Sequence, residues 1–166
     1  TDSAGNVATN TFTVVAPTLF RAPGNGPIST QVSLTGNNYQ ASSTITFGLE
    51  NTPGSGTYSP IGSVPSPCTS NAGGTIPGGS PCVITIPARA PGVYNIQATD
   101  ASGSSATTTF TVTAPTLGLA PGGGPDGTVV GLGGGNYIAS SDLTLSFESA
   151  PGSGIFNPVT TNPNPC

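Results

Sequence analysis

The chain has 166 residues, room for one ordinary domain or two small ones. Only 5% of them are charged, two basic against six acidic for a net charge of -4, where about 25% is usual in soluble proteins. No basic patch exists to neutralise phosphates or anionic lipid headgroups, so nucleic acid is excluded as a partner.

His, Met and Trp are absent, and Ser, Thr and Asn fill the positions that surface charges normally hold. Such a surface titrates little, so stability should depend weakly on pH. Gly 25 and Pro 18 approach a low-complexity composition. The placement of the apolar residues argues for order instead.

In chain order, residues 1–16 carry Phe12 and Val14 as the inward positions of a strand. Residues 29–36 put Val32 and Leu34 on one face, and 43–49 do the same with Ile45, Phe47 and Leu49. A Pro/Gly-rich stretch over 51–82 reads as an insertion loop bearing two cysteines. Beyond it, Ile84 and Ile86 oppose Val83 and Thr85, Tyr94, Ile96 and Ala98 alternate with Val93, Asn95 and Gln97, and Phe110 and Val112 stand between threonines. Alternation with period two marks half-buried strands, and Gly, Pro, Asn and Ser supply the turns between them. No stretch keeps helical spacing for more than a turn. The expectation is an all-β chain.

The opening string TDSAGNVATNTFTVVAP returns from residue 99 as TDASGSSATTTFTVTAP. A shift of 98 residues, from Thr1 to Thr99, aligns the chain without a gap as far as Cys68 on Cys166, with 37 of the 68 positions identical. NNY at 37–39 falls on GNY at 135–137, and PGSG at 53–56 on PGSG at 151–154. Turn and core positions both recur, the mark of a repeat architecture. The expected organisation is the last strand of a preceding repeat over 1–16, a complete repeat over 17–114, and the first half of the next over 115–166. Half a sandwich would leave an apolar face and open sheet edges. Either the polypeptide continues, or neighbouring copies supply strands by β-augmentation. Strand counting favours continuation, because residues 1–16 replace only one of the strands that the half repeat lacks.

Cys68 and Cys82 flank a Gly-rich loop, and two cysteines without histidine are too few for a zinc site. A disulfide is expected, and closing such a loop is worth about 3 kcal/mol. Cys166 matches Cys68 and should pair with a residue beyond 166. A disulfide places the chain in an oxidising compartment, extracellular or at the cell surface. No apolar run reaches membrane-spanning length and no signal peptide is visible.

APTLFRAPGNGP, TQVSLTGNNY and STITFGL resemble the opening of an IPT/TIG-type immunoglobulin-like domain, and IPARAPGVYNIQATDASGSSATTTFTVTAP is similar to the closing strands of bacterial and archaeal surface immunoglobulin-like repeats. The resemblance covers the repeat and both fragments and departs from the family over 51–82. It implies an immunoglobulin-like β-sandwich strung in tandem on a secreted or cell-surface protein.

Chemistry-bearing residues are sparse. The complete repeat holds Arg21, Glu50, Arg89 and Asp100 as its charged side chains, with no histidine to activate a nucleophile. Glu50 and Asp100 are its one candidate pair for glycoside hydrolysis. Both sit at turns, where carboxylates cap backbone N–H groups, so no enzyme activity and no cofactor are expected. Asp2 and Asp100 are weak Ca²⁺ candidates at the domain junctions. Phe20 and Tyr58 are the surface aromatics best suited to stack on a sugar, whereas Tyr94 alternates inward. GLGGGN at 131–136 lacks the Lys-Ser/Thr ending and the following helix of a phosphate loop. Ser- and Thr-rich strands and loops offer O-glycosylation sites.

Three roles fit these features. The first is a non-enzymatic structural component of an extracellular filament, stalk or surface array, its repeats contacting one another or further copies end to end. The second is an adhesin that binds glycan or protein through the 51–82 loop. The third is a spacer in a larger secreted enzyme.

Overall fold

The computed structural model describes residues 3–162 and is all-β. Among the described residues no helix is long and apolar enough to cross a membrane. The chain divides into two compact units, Thr1–Ala114 and Pro115–Cys166.

The first unit holds ten strands: β1 (Thr18–Ala22), β2 (Asn25–Gly26), β3 (Gln31–Asn37), β4 (Thr44–Glu50), β5 (Tyr58–Ile61), β6 (Ser63–Val64), β7 (Cys68–Thr69), β8 (Cys82–Thr85), β9 (Gly92–Thr99) and β10 (Ser105–Val112). One sheet runs β1-β3-β8-β6, the other β2-β10-β9-β4-β5, with β7 also on β4. All pairings are antiparallel except β2 with β10.

A single apolar cluster joins the two sheets, as in a β-sandwich. Leu19, Val32, Leu34 and Ile84 enter it from the first sheet, and Ile45, Phe47, Leu49, Tyr94, Ile96, Phe110 and Val112 from the second. These are the inward members of the alternating runs, because successive side chains on a strand take opposite faces.

Residues 51–82 differ from the insertion loop expected of them. They supply β5, β6 and β7 and bury Cys68 and Ile76 in the core. Their strands are two to four residues long and interrupted by Pro and Gly, too short for alternation to register.

Residues 5–17 form no strand, so the last strand expected within 1–16 is not made here, and Phe12 is 91% exposed. Its counterpart Phe110 is covered because β10 pairs with β9 along its whole length. Nothing in residues 3–16 plays the part of β9 for Phe12.

The second unit contains two hairpin pairs: β11 (Thr116–Ala120) with β12 (Gly131–Gly135), and β13 (Ser146–Glu148) with β14 (Phe156–Pro158). Thr116 opposes Gly135 as Thr18 opposes Asn37, and Glu148 opposes Phe156 as Glu50 opposes Tyr58.

Candidate functional site

The carboxylates of the first unit are held by donors. Glu50 ends β4, where its Oε1 accepts the Gly56 N–H at 2.8 Å and its Oε2 accepts both the N–H (3.0 Å) and the side-chain amide (3.1 Å) of Asn95. It thereby clamps the PGSG loop onto β9. The Gly56 and Asn95 N–H groups hold its carboxyl below the ordinary carboxylate range.

Asp100 follows β9, and its Oδ1 accepts the Ser102 hydroxyl (2.6 Å), the Ser102 N–H (2.9 Å) and the Ser104 N–H (3.0 Å). Its Oδ2 takes the Gln40 N–H at 2.8 Å. The Ser102 hydroxyl, followed by the Gln40 N–H, depresses the Asp100 pKa.

Geometry separates the two acids. Glu50 bonds Asn95, five residues before Asp100, so roughly 16 Å of extended backbone separates the residues that hold the two carboxylates. Acid and nucleophile or base in a glycosidase stand about 5–9.5 Å apart, and the acid needs a raised pKa rather than a lowered one.

A network that sequence reading missed surrounds Asp100. The Ser70 hydroxyl accepts the Ser43 N–H (2.9 Å) and donates to the Gln40 carbonyl (2.6 Å), while the Ser43 hydroxyl accepts the Ala101 N–H (3.0 Å). Both serines are buried. The turn after β3, the start of β4, the end of β7 and the β9–β10 turn are thus tied together at one end of the sandwich. Tyr39 packs there with its ring against Gly36 and its hydroxyl unpartnered among protein groups. Burial, reinforced by the Asp100 charge, pushes the phenol up to about 12. Gly74 lies against the Tyr39 carbonyl at φ +70°, and a Cβ there would collide with that oxygen.

Cys68 and Cys82 form the expected disulfide, with Cα atoms 5.8 Å apart and a separation of 14 positions in sequence. It joins β7, at the edge of one sheet, to β8 in the other, and both sulfurs lie in the core. A buried disulfide of this kind fits an oxidising environment. Cys166 and Asp2 lie outside the described residues.

The remaining candidates are scattered. Phe20 lies on β1 at one edge of the first sheet, beside a shallow groove of about 570 Å³ between residues 17–20 and 105–107. Tyr58 is half-buried on β5, at the edge of the second sheet farthest from β10. The fold does not bring the two aromatics into one platform. Arg21 reaches from β1 to donate to the Thr108 hydroxyl of β10 at 3.0 Å. Asp100 is ringed by N–H and O–H donors, the wrong polarity to receive a cation. Among the described residues, no three His, Cys, Asp or Glu side chains gather as metal ligands.

No protein-family model, no curated protein and no solved structure matches this chain.

Proposed function

We propose that the chain is a non-enzymatic structural element of an extracellular filament, stalk or surface array, built from tandem immunoglobulin-like repeats of 98 residues of the IPT/TIG kind. Several features of the first unit support the immunoglobulin-like reading. Its sheets follow the order expected of such sandwiches, with β1-β3-β8-β6 in the positions of strands A, B, E and D and β10-β9-β4-β5 in those of G, F, C and C′. The Tyr94 hydroxyl donates to the Ala90 carbonyl at 2.9 Å, four residues upstream, in the manner of a tyrosine corner.

Support for the repeat comes from backbone conformation. Asn38 and Asn136 share positive φ values of 63° and 62°, Ser42 and Ser140 of 51° and 57°. Non-glycine residues rarely adopt this region, so the agreement marks the same turns. Glu148 accepts the Gly154 N–H at 2.7 Å as Glu50 accepts that of Gly56.

The observation that carries the proposal is burial. Leu19, Val32, Leu34 and Leu49 are core residues of the first unit, yet Leu117, Val130, Leu132 and Phe147, each 98 positions on, are exposed by 54%, 43%, 42% and 74%. Among its described residues, the second unit has the core-facing residues of a sandwich and no counterparts of β8, β9 and β10. A repeated module whose few carboxylates are spent on turns suits a load-bearing role better than a catalytic one. Its disulfide staple and charge-poor surface agree with life outside the cell.

Electron microscopy of the native, full-length protein tests this. The expected image is a fibre or lattice of beads repeating at roughly 30–40 Å, the size of a compact domain of this length. Dispersed globular monomers would overturn it.

A further inference from the structure

Arg21, one of two cations in the whole chain, stands at the open side of the first unit, between the edges of its two sheets. Its Nη1 crosses from β1 to the Thr108 hydroxyl of β10, and its Nε is buried without a partner. Among the described residues of the first unit no carboxylate pairs with it, because Glu50 and Asp100 are taken up by the donors of their own turns. A half-buried guanidinium whose acceptor is a neutral hydroxyl is under-satisfied.

Next to that bridge, residues 17–20 of one strand and 105–107 of the other line the groove of about 570 Å³. Phe20 is 56% exposed there, and Thr18, Ser105 and Thr107 present exposed hydroxyls. The Thr111 and Thr113 N–H groups point away from β9 to the Gly24 and Gly26 carbonyls, so by parity the main-chain groups of Ser105 and Thr107 also turn towards the gap. β2 covers this edge only at Thr111 and Val112. Before the bridge at Thr108 the uncovered edge is three residues long, roughly 10 Å, short for an added strand and sufficient for a sugar or two. The chain reaches Pro17 from the other side of β1, where the Asn38 amide, just after β3, donates to the Ala16 carbonyl at 3.3 Å.

Sequence sets the two residues apart from the scaffold. TLFRAPG at 18–24 matches TLGLAPG at 116–122 except at Phe20 and Arg21, which are Gly118 and Leu119 there. β11 nonetheless pairs with β12 in the register of β1 with β3, so neither side chain is needed to build the strand.

We propose that Phe20, Arg21 and the groove beside them bind an acidic saccharide of the uronic acid class. The guanidinium fork takes the carboxylate, the Phe20 ring covers one sugar face, and the hydroxyls and main-chain groups of Ser105 and Thr107 serve the sugar hydroxyls. The site goes beyond the structural role above and does not rest on it.

Isothermal titration calorimetry of the 166-residue chain with tetragalacturonic acid, its methyl ester and hexaglutamate is the test. The acid is expected to bind, more weakly as salt rises, and the uncharged ester at least about tenfold more weakly than the acid. Arg21→Leu and Phe20→Gly, each placing at the site what the chain carries at 119 and 118, should each lower the affinity for the acid about tenfold, and Arg21→Lys should restore part of what Arg21→Leu loses. Thermal melts of the same variants report folding. No heat with the acid, equal affinity for acid and ester, or an affinity unchanged by Arg21→Leu overturns the proposal. Tighter binding of hexaglutamate overturns it too, since the ligand would then be an acidic peptide. If Arg21→Leu lowers the melting temperature and leaves the affinity intact, the arginine only braces the two sheets and the proposal falls. None of these outcomes bears on the repeat reading, which the micrographs test.

Discussion

Reducing the Cys68–Cys82 bond isolates one stabilising contribution, because the thiols stay in place and only the covalent constraint is lost. The bond closes a loop of 14 residues, for which the chain-entropy relation gives about 10 cal/mol/K, or about 3 kcal/mol at 25 °C. Both sulfurs sit in a packed core between two sheets that already share a continuous apolar cluster. The reduced protein should therefore stay folded. Guanidinium titrations of the oxidised and reduced chain, each with Cys166→Ala to prevent exchange, should show the first unit losing about 3 kcal/mol, equivalent to roughly 10–15 °C in Tm. Cys68→Ala/Cys82→Ala should lose 1–2 kcal/mol more from the small cavities it leaves. A midpoint unchanged by reduction would refute the reasoning, since the bond would then constrain nothing. Complete unfolding on reduction would refute it from the other side, because the sheets could not cohere without the staple.

Other outcomes follow from the same packing. Glu50 and Asp100 have depressed pKa values in the fold, so they bind protons more readily when unfolded. Their contribution is full above the unfolded values near 4 and is lost as pH falls through the folded ones. Tyr39, raised to about 12, contributes fully below its unfolded value of about 10 and loses that contribution as pH rises towards 12. Urea midpoints should thus be flat from about pH 5 to 9 and fall on both sides; a slope inside that window contradicts the assignment. Gly74→Ala, which drives a Cβ into the Tyr39 carbonyl, should cost more than about 3 kcal/mol, whereas Gly103→Ala, at φ +87° in open space, should cost about 1–2 kcal/mol by chemical denaturation. Phe110→Ala should lose about 3–5 kcal/mol and Phe12→Ala, at the matching place in the repeated string, less than about 0.5 kcal/mol in dilute solution. Equal losses would mean that residues 7–14 are packed after all.

Much of the fold could be read from alternation. Val32, Leu34, Ile45, Phe47, Ile84, Tyr94 and Phe110 are buried because they share one face of strands long enough to show period two. The disulfide was legible from two cysteines in a chain without histidine. Its bridging of the two sheets was not, since that depends on β7 returning to β4 after β6 has joined the other sheet. Strands of two residues, such as β2, β6 and β7, leave no periodic trace and are fixed by the neighbours they complete. The carboxylates were recognisable as turn residues from TPGSG and TDASG. The Ser43–Ser70–Gln40 network around Asp100 was hidden because its hydrogen bonds span 27 to 60 residues and its members carry no motif. Phe20 and Tyr58 looked equivalent as surface aromatics, and only the strand order separates them to opposite edges.

Amide hydrogen exchange over β11–β14, comparing the 166-residue chain with the version extended by a second copy of residues 69–113, addresses the repeat most directly. The amides of Leu117, Val130 and Leu132 should exchange fast in the former and become protected in the latter to the level of Leu19, Val32 and Leu34. Strong protection already present in the shorter chain as a monomer, or none gained in the longer one, would contradict the view that residues 115–166 are the opening half of a second sandwich.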